Sequence, residues 1–242
     1  NTVLGSNALS ADTLGSQSTA VGFNALATQN FTTATNSLNT AVGYAAGLNV
    51  TTGTSNTLIG GIAGDALTDA DFNVAVGQGA LSAVTLGSRS TAIGRAALSA
   101  QNFTTATDTY NTAVGFHAGV NVTTGLFNTI VGAKAGDAFT SGNSNVAIGY
   151  NALTADTLGD RAVAVGLNAL AAQNFTTTTD NYNVGVGYQA GLAVTTGIYN
   201  TIIGGLAGDA LTSGNNNTAV GTAALSTDTL GDRNVALGRD AL

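Results

Sequence analysis

Short stretches in which apolar and polar residues alternate recur along the whole chain, and each ends in glycine. Asn39-Thr40-Ala41-Val42-Gly43 is one, and Asn56-Thr57-Leu58-Ile59-Gly60 and Asn73-Val74-Ala75-Val76-Gly77 follow it at even steps. Segments so short, alternating with period two and broken by Gly, predict β-strands rather than helices. The closing glycines are Gly5, Gly22, Gly43, Gly60, Gly77, Gly94, Gly115, Gly132, Gly149, Gly166, Gly187, Gly204, Gly221 and Gly238. Their separations run 17, 21, 17, 17 and then repeat, so four units make a cassette whose first turn comes round again from Gly5 to Gly77. A period of about 20 residues marks a solenoid, whose repeats bury their faces only against their neighbours. The pattern therefore predicts an all-β parallel β-solenoid, a β-roll of fourteen rungs that are short or long according to these two spacings.

Counting from each ladder glycine gives every column an expected role. The preceding residue is always aliphatic, from Leu4 and Val21 to Val220 and Leu237, and is expected inside the core. Two residues earlier stands a Thr/Val column (Thr2, Thr19, Thr40, Thr57, Val74 onward), expected on the same face and partly buried. Ala occurs three residues after every glycine, from Ala8 to Ala241, which implies a narrow core. The glycines themselves are expected to turn a corner where positive φ or a close approach excludes a Cβ. Asn begins most rungs and is expected to hydrogen-bond along the axis. A Thr column, including Thr51, Thr68 and Thr85, precedes the turn that closes each short rung.

The cassette distinguishes its four rungs. The second is the long one, with Gln-Asn-Phe-Thr-Thr at Gln29, Gln101 and Gln173. Its four extra residues are expected to protrude once every four rungs, carrying Phe31, Phe103 and Phe175 as candidate surface contacts. At about 4.8 Å per rung, fourteen rungs predict a rod of roughly 65 Å with such a loop about every 19 Å. No composition shift or linker interrupts residues 1–242, which read as one continuous domain with units near 1–72, 73–144, 145–216 and a partial 217–242. Their register at both ends suggests a segment of a longer array.

Composition narrows the chemistry. Charged residues are 8% of the chain, and 13 acidic against 6 basic residues give a net charge of −7, which disfavours a nucleic-acid partner. The chain lacks Cys, which removes disulfides and thiolate metal sites. No apolar run reaches membrane-helix length, so membrane insertion of this segment is not expected. His117 is the single His and its equivalents one cassette away are Ala45 and Gln189, so no catalytic residue, cofactor or metal is assigned and the chain is read as a non-enzyme. Asp65, Asp69 and Asp71 form the one local acidic cluster, read as a solvated turn rather than a calcium site. Asn30-Phe31-Thr32 and its equivalents at Asn102 and Asn174 match the N-glycosylation triplet, as do Asn49-Val50-Thr51 and the segment at Asn121. Thr columns also raise ice binding, although the Val interruptions leave no persistent two-column Thr array.

Asn39-Thr40-Ala41-Val42-Gly43-Tyr44 and Asn111-Thr112-Ala113-Val114-Gly115-Phe116 resemble the repeats of two groups of surface fibres. One is the head domain of trimeric autotransporter adhesins, the other the Asn-Thr-Ala-Val-Gly arrays of phage tail-fibre-like and bacterial surface proteins. The resemblance covers the whole chain. It implies a left-handed roll, a homotrimer or filament, an extracellular, cell-surface or virion location, and a structural shaft with spacer and adhesive roles toward a cell-surface or glycan target. The alternative expectation is a non-catalytic solenoid that binds ice or a glycan.

Overall fold

A computed structural model describes residues 1–242. It contains no helix; fourteen three-residue strands form one parallel sheet whose order follows the chain, a β-solenoid of about fourteen turns. The residues gather into two compact units, Asn1–Thr124 and Gly125–Leu242, built by the same rules.

In the first unit the sheet strands are Thr2–Leu4, Thr19–Val21, Thr40–Val42, Thr57–Ile59, Val74–Val76, Thr91–Ile93 and Thr112–Val114. Pairing keeps equivalent residues side by side: Thr40, Ala41 and Val42 face Thr57, Leu58 and Ile59. The backbone bonds follow, with Thr57 N–H donating to the Asn73 carbonyl at 2.8 Å and Gly60 N–H to that of Val42 at 2.8 Å. The second unit repeats this from Thr129–Val131 through Val146–Ile148, Val163–Val165, Val184–Val186, Thr201–Ile203 and Thr218–Val220 to Val235–Leu237.

The core lies on the opposite sheet face from the one the aliphatic column led us to expect. Ala20, Ala41, Leu58, Ala75, Ala92 and Ala113, two residues before the ladder glycines, are fully buried. The branched residues next to the glycines lie outside, and Ile59, Ile93 and Ile203 are each 39% exposed. The Asn column sets this phase. Asn39, Asn56 and Asn73 are 0% exposed, and period two then turns the next residue but one inward with them. The Thr/Val and Val/Ile columns take the outer face together. Thr40, Thr57 and Val74 are half-buried there.

Burying the Asn column is permitted because each amide is satisfied. Asn56 Oδ1 accepts from the Asn73 N–H at 3.0 Å, and its Nδ2 donates to the Ala70 carbonyl at 2.8 Å. In the second unit Asn145 Oδ1 accepts from the Ala162 N–H at 2.8 Å and its Nδ2 reaches the Gly159 carbonyl at 2.8 Å. An unpaired buried amide would cost about 1–3 kcal/mol, so the ladder keeps its polar groups only as a chain.

Facing the sheet, the Ala column three residues after each glycine is buried as expected from Ala8 to Ala224. The next position is Leu in the first two rungs of a cassette and Gly in the last two. These glycines make room for larger sheet residues: a Cβ on Gly47 would stand 2.7 Å from Leu58 Cδ1, and one on Gly64 2.7 Å from Leu58 Cδ2. The second unit repeats the exchange, with Ile202 3.1 Å from a Cβ on Gly191 and 3.2 Å from one on Gly208. Core volume is thus balanced over four rungs. Where Leu occupies this turn its backbone is left-handed, with φ of 49° at Leu26 and 53° at Leu81. That conformation costs about 1–2 kcal/mol per residue, and complete burial of the side chain offsets it.

Candidate functional site

Each unit carries its outer sheet face as an uncharged surface of two in-register columns. In the first, Thr19, Thr40, Thr57, Val74, Thr91 and Thr112 run beside Val21, Val42, Ile59, Val76, Ile93 and Val114. Neighbours along a column are set by the rung step of about 4.8 Å, and the two columns by alternation along a strand.

Aromatic residues border these columns. Phe23, Tyr44, Phe116, Tyr150 and Tyr188 follow the glycines and are 43–62% exposed. Phe72, Tyr110, Phe127, Tyr182 and Tyr199 precede the Asn column and are also exposed. Equivalent side chains stack where rungs meet: Phe23 on Tyr44 at 5.8 Å, Tyr182 on Tyr199 at 5.6 Å. Arg89 lies over the rings of Phe72 and Tyr110 and pairs with Asp108 at 2.9 Å. Arg161 repeats the arrangement with Tyr182 and Asp180.

Phe31, Phe103 and Phe175 are not surface contacts. They are 5, 8 and 6% exposed and turn inward beside the buried Gln of the same rung. Phe103 Cδ2 would stand 3.0 Å from a Cβ on Gly87, and Gln101 Nε2 3.2 Å from it. Burial of an aromatic ring outweighs its place in the longer loop, and the exposed residues are its neighbours Thr32, Thr33 and Ala34. The chain then returns through Thr35–Asn36, which pairs with Gly15–Ser16 in a small parallel sheet; Thr107–Asp108 with Gly87–Ser88 and Thr179–Asp180 with Gly159–Asp160 repeat it.

Under each loop lies a polar cluster that the sequence reading did not single out. Gln29 Nε2 donates to Asp12 Oδ2 at 2.9 Å while its Oε1 accepts from Asn39 Nδ2 at 2.8 Å. Asp156 is fully buried and accepts from Gln173 Nε2 at 2.6 Å and from the Gly159 N–H at 3.0 Å. Burial pushes its carboxyl above the ordinary carboxylate range, against the lowering effect of these hydrogen bonds. The signal available in the sequence was the recurrence of Asp12, Gln29, Asp156 and Gln173 at positions where other rungs carry Val, Leu or Phe.

The acidic turn residues serve structure. Asp69 accepts from Thr52 Oγ1 at 2.6 Å, and Asp71 accepts from the Thr54 N–H at 2.6 Å. Asp65 stands apart from them, its carboxyl raised by burial. No three acidic or His side chains converge as a metal cage. His117 stacks on Phe116 and meets Arg95 Nη1 at 3.1 Å, on the surface. The surface holds no pocket.

Fold and surface together define a parallel β-solenoid repeat protein whose distinctive exterior is an uncharged sheet face edged by aromatics. No protein-family model, curated protein or solved structure matches the chain.

Proposed function

We propose that the chain is a non-catalytic shaft of an extracellular or cell-surface fibre, a spacer with adhesive flanks. Its outer sheet face is covered by further copies of the chain in a parallel homotrimer. The observation that carries this reading is the half-exposed, charge-free pair of columns Thr40/Val42, Thr57/Ile59, Val74/Val76 and their equivalents. All-parallel sheets are ordinarily covered on both faces, and this one has its own coil on only one. A copy of the chain is the occupant best suited to the other, because its side chains repeat with the same axial spacing rung after rung. Three such faces around an axis would bury the Val/Ile column without burying a charge. The exposed Tyr44, Tyr188 and Tyr199 supply amphipathic contact area for adhesion to a surface or glycan target.

The same in-register columns support a second reading, a flat ice-binding face, since Thr and branched aliphatic side chains stand there in a regular array. One face cannot serve both uses. Sedimentation equilibrium that finds a trimer, with no thermal hysteresis, supports the shaft. A monomer with thermal hysteresis supports the second reading, and a monomer without it sinks both.

A further inference from the structure

The triplet Asn-Phe-Thr occurs once in each long rung, at Asn30–Thr32, Asn102–Thr104 and Asn174–Thr176, and the fold treats all three alike. The middle Phe is buried, while the Asn before it and the Thr after it are exposed. Burial of one residue thus turns its two neighbours outward together. The main chain is pinned, with the N–H of Asn30, Asn102 and Asn174 donating to the carbonyls of Thr51, Thr123 and Thr195 at 3.0, 2.9 and 3.0 Å. Each Asn side chain is oriented by its oxygen: Oδ1 accepts from Thr13, Thr85 or Thr157 Oγ1 at 3.0, 2.8 and 3.1 Å. The Nδ2 groups of these exposed Asn residues make no hydrogen bond within the chain, nor do the hydroxyls of the exposed Thr32, Thr104 and Thr176.

The neighbouring triplet Asn49-Val50-Thr51 differs in the feature that matters. Thr51 Oγ1 is committed to the Thr68 carbonyl at 3.2 Å, and the third cassette replaces the Asn by Ala193. We propose that Asn30, Asn102 and Asn174 are N-glycan acceptor sites, whose sugars project from the long rungs at one per cassette. Asn-x-Thr is the acceptor sequence of N-glycosyl transfer. In the reaction Nδ2 attacks the anomeric carbon of a sugar activated as a phosphate ester. The carbon–nitrogen bond forms, the bond to the phosphate oxygen breaks, the phosphate departs with its electron pair, and Nδ2 loses one proton to the transferase. The donor is a nucleotide-linked or a lipid-linked sugar.

The test is glycopeptide mapping of the chain purified from the cells that make it. Sugar increments are expected on the peptides of Asn30, Asn102 and Asn174, and none on that of Asn49. Single hexoses at these residues identify a nucleotide-sugar donor, and oligosaccharides rooted in an N-acetylhexosamine a lipid-linked one. In the triple variant Thr32→Ala, Thr104→Ala, Thr176→Ala the increments should vanish while circular dichroism is unchanged, because all three Thr side chains are exposed. Bare peptides at all three sites overturn the proposal, as do increments that survive the Thr changes. Neither result depends on the oligomeric state, so this proposal and the shaft reading stand or fall separately.

Discussion

The carbonyl oxygen of Gly77 lies 2.6 Å from the point where a Cβ on Gly60 would stand, and Gly60 itself has a φ of +135°. Two separate exclusions thus act at one atom, a backbone conformation that L side chains avoid and a wall of neighbouring main chain. A flexible side chain could yield; a carbonyl held in the stack cannot. Gly60→Ala should destabilise the first unit by at least about 2 kcal/mol, combining overpacking with backbone strain. Hydrogen exchange of the surrounding amides measures this locally, which suits a repeat array better than one global melting point. Protection equal to that of the unaltered chain would refute the account of the ladder.

Core balance between Leu58 and Gly64 predicts a non-additive pair. Gly64→Leu alone should be costly, since its Cβ already meets Leu58 and Leu67 at 2.7 Å. The backbone permits the substitution at a price, as Leu81 shows in the same column with φ of 53°. Leu58→Ala removes one of these two obstructions, Leu67 remaining, and should recover about 1–3 kcal/mol in the double variant, the coupling expected of residues in contact. Thermal unfolding of the four members of the cycle provides the comparison, and simple additivity would contradict the size-matching argument.

Asp156 gives a pH signature. Its folded-state pKa is raised from the ordinary 3.8, chiefly by burial. Between those two values the folded chain holds the proton more tightly than the unfolded chain, so this residue's contribution to stability falls as pH rises through the window. Above the raised pKa the penalty is complete and constant. The difference in stability between the unaltered chain and Asp156→Asn should therefore move against the unaltered chain as pH rises from below 3.8. A flat difference across that range, measured by thermal melts, would remove the buried-charge interpretation.

On the outer face, Val76→Lys should leave the coil folded, because Val76 is only half-buried and its strand retains its backbone bonds. Self-association should weaken sharply. Burying one unpaired ammonium costs on the order of 3–5 kcal/mol. Sedimentation equilibrium should find dissociation at concentrations where the unaltered chain is assembled. An unchanged association constant would place the contact elsewhere.

Much of the fold was legible because each rung repeats the same constraints. The uniform spacing from Gly5 to Gly238 specifies the coil, and Ala8 to Ala241 its narrowness. The facing of the strand was harder. Val42 and Ile59 carry the residue types of a core, and hydrophobicity alone turns them inward; the structure turns them out because Asn39 and Asn56 are buried by their own ladder. Polar residues that satisfy one another between rungs overrule apolar ones, and no single rung contains that information. Phe31 shows the same limit: its loop is longer, which reads as protrusion, but the ring is buried beside Gln29. The left-handed turn positions were partly visible, since Asn7, Asn24, Asn151 and Asn168 favour that conformation. Leu26 and Leu81 give no such sign, and only their packing accounts for them.

The exchange of Leu and Gly across Leu58, Ile130 and Ile202 bears on how such a chain can change length over generations. Losing the third or the fourth rung of a cassette alone would bring together walls that do not match in volume, Leu26 against Leu58 in the one case and Gly47 without Leu58 in the other, even though every strand still found a partner. A gain or loss of one whole cassette restores the match at the join. Recombination between repeats of the gene would therefore be tolerated in whole cassettes and selected against in fractions of one, so descendants of this array should differ in length by four turns at a time.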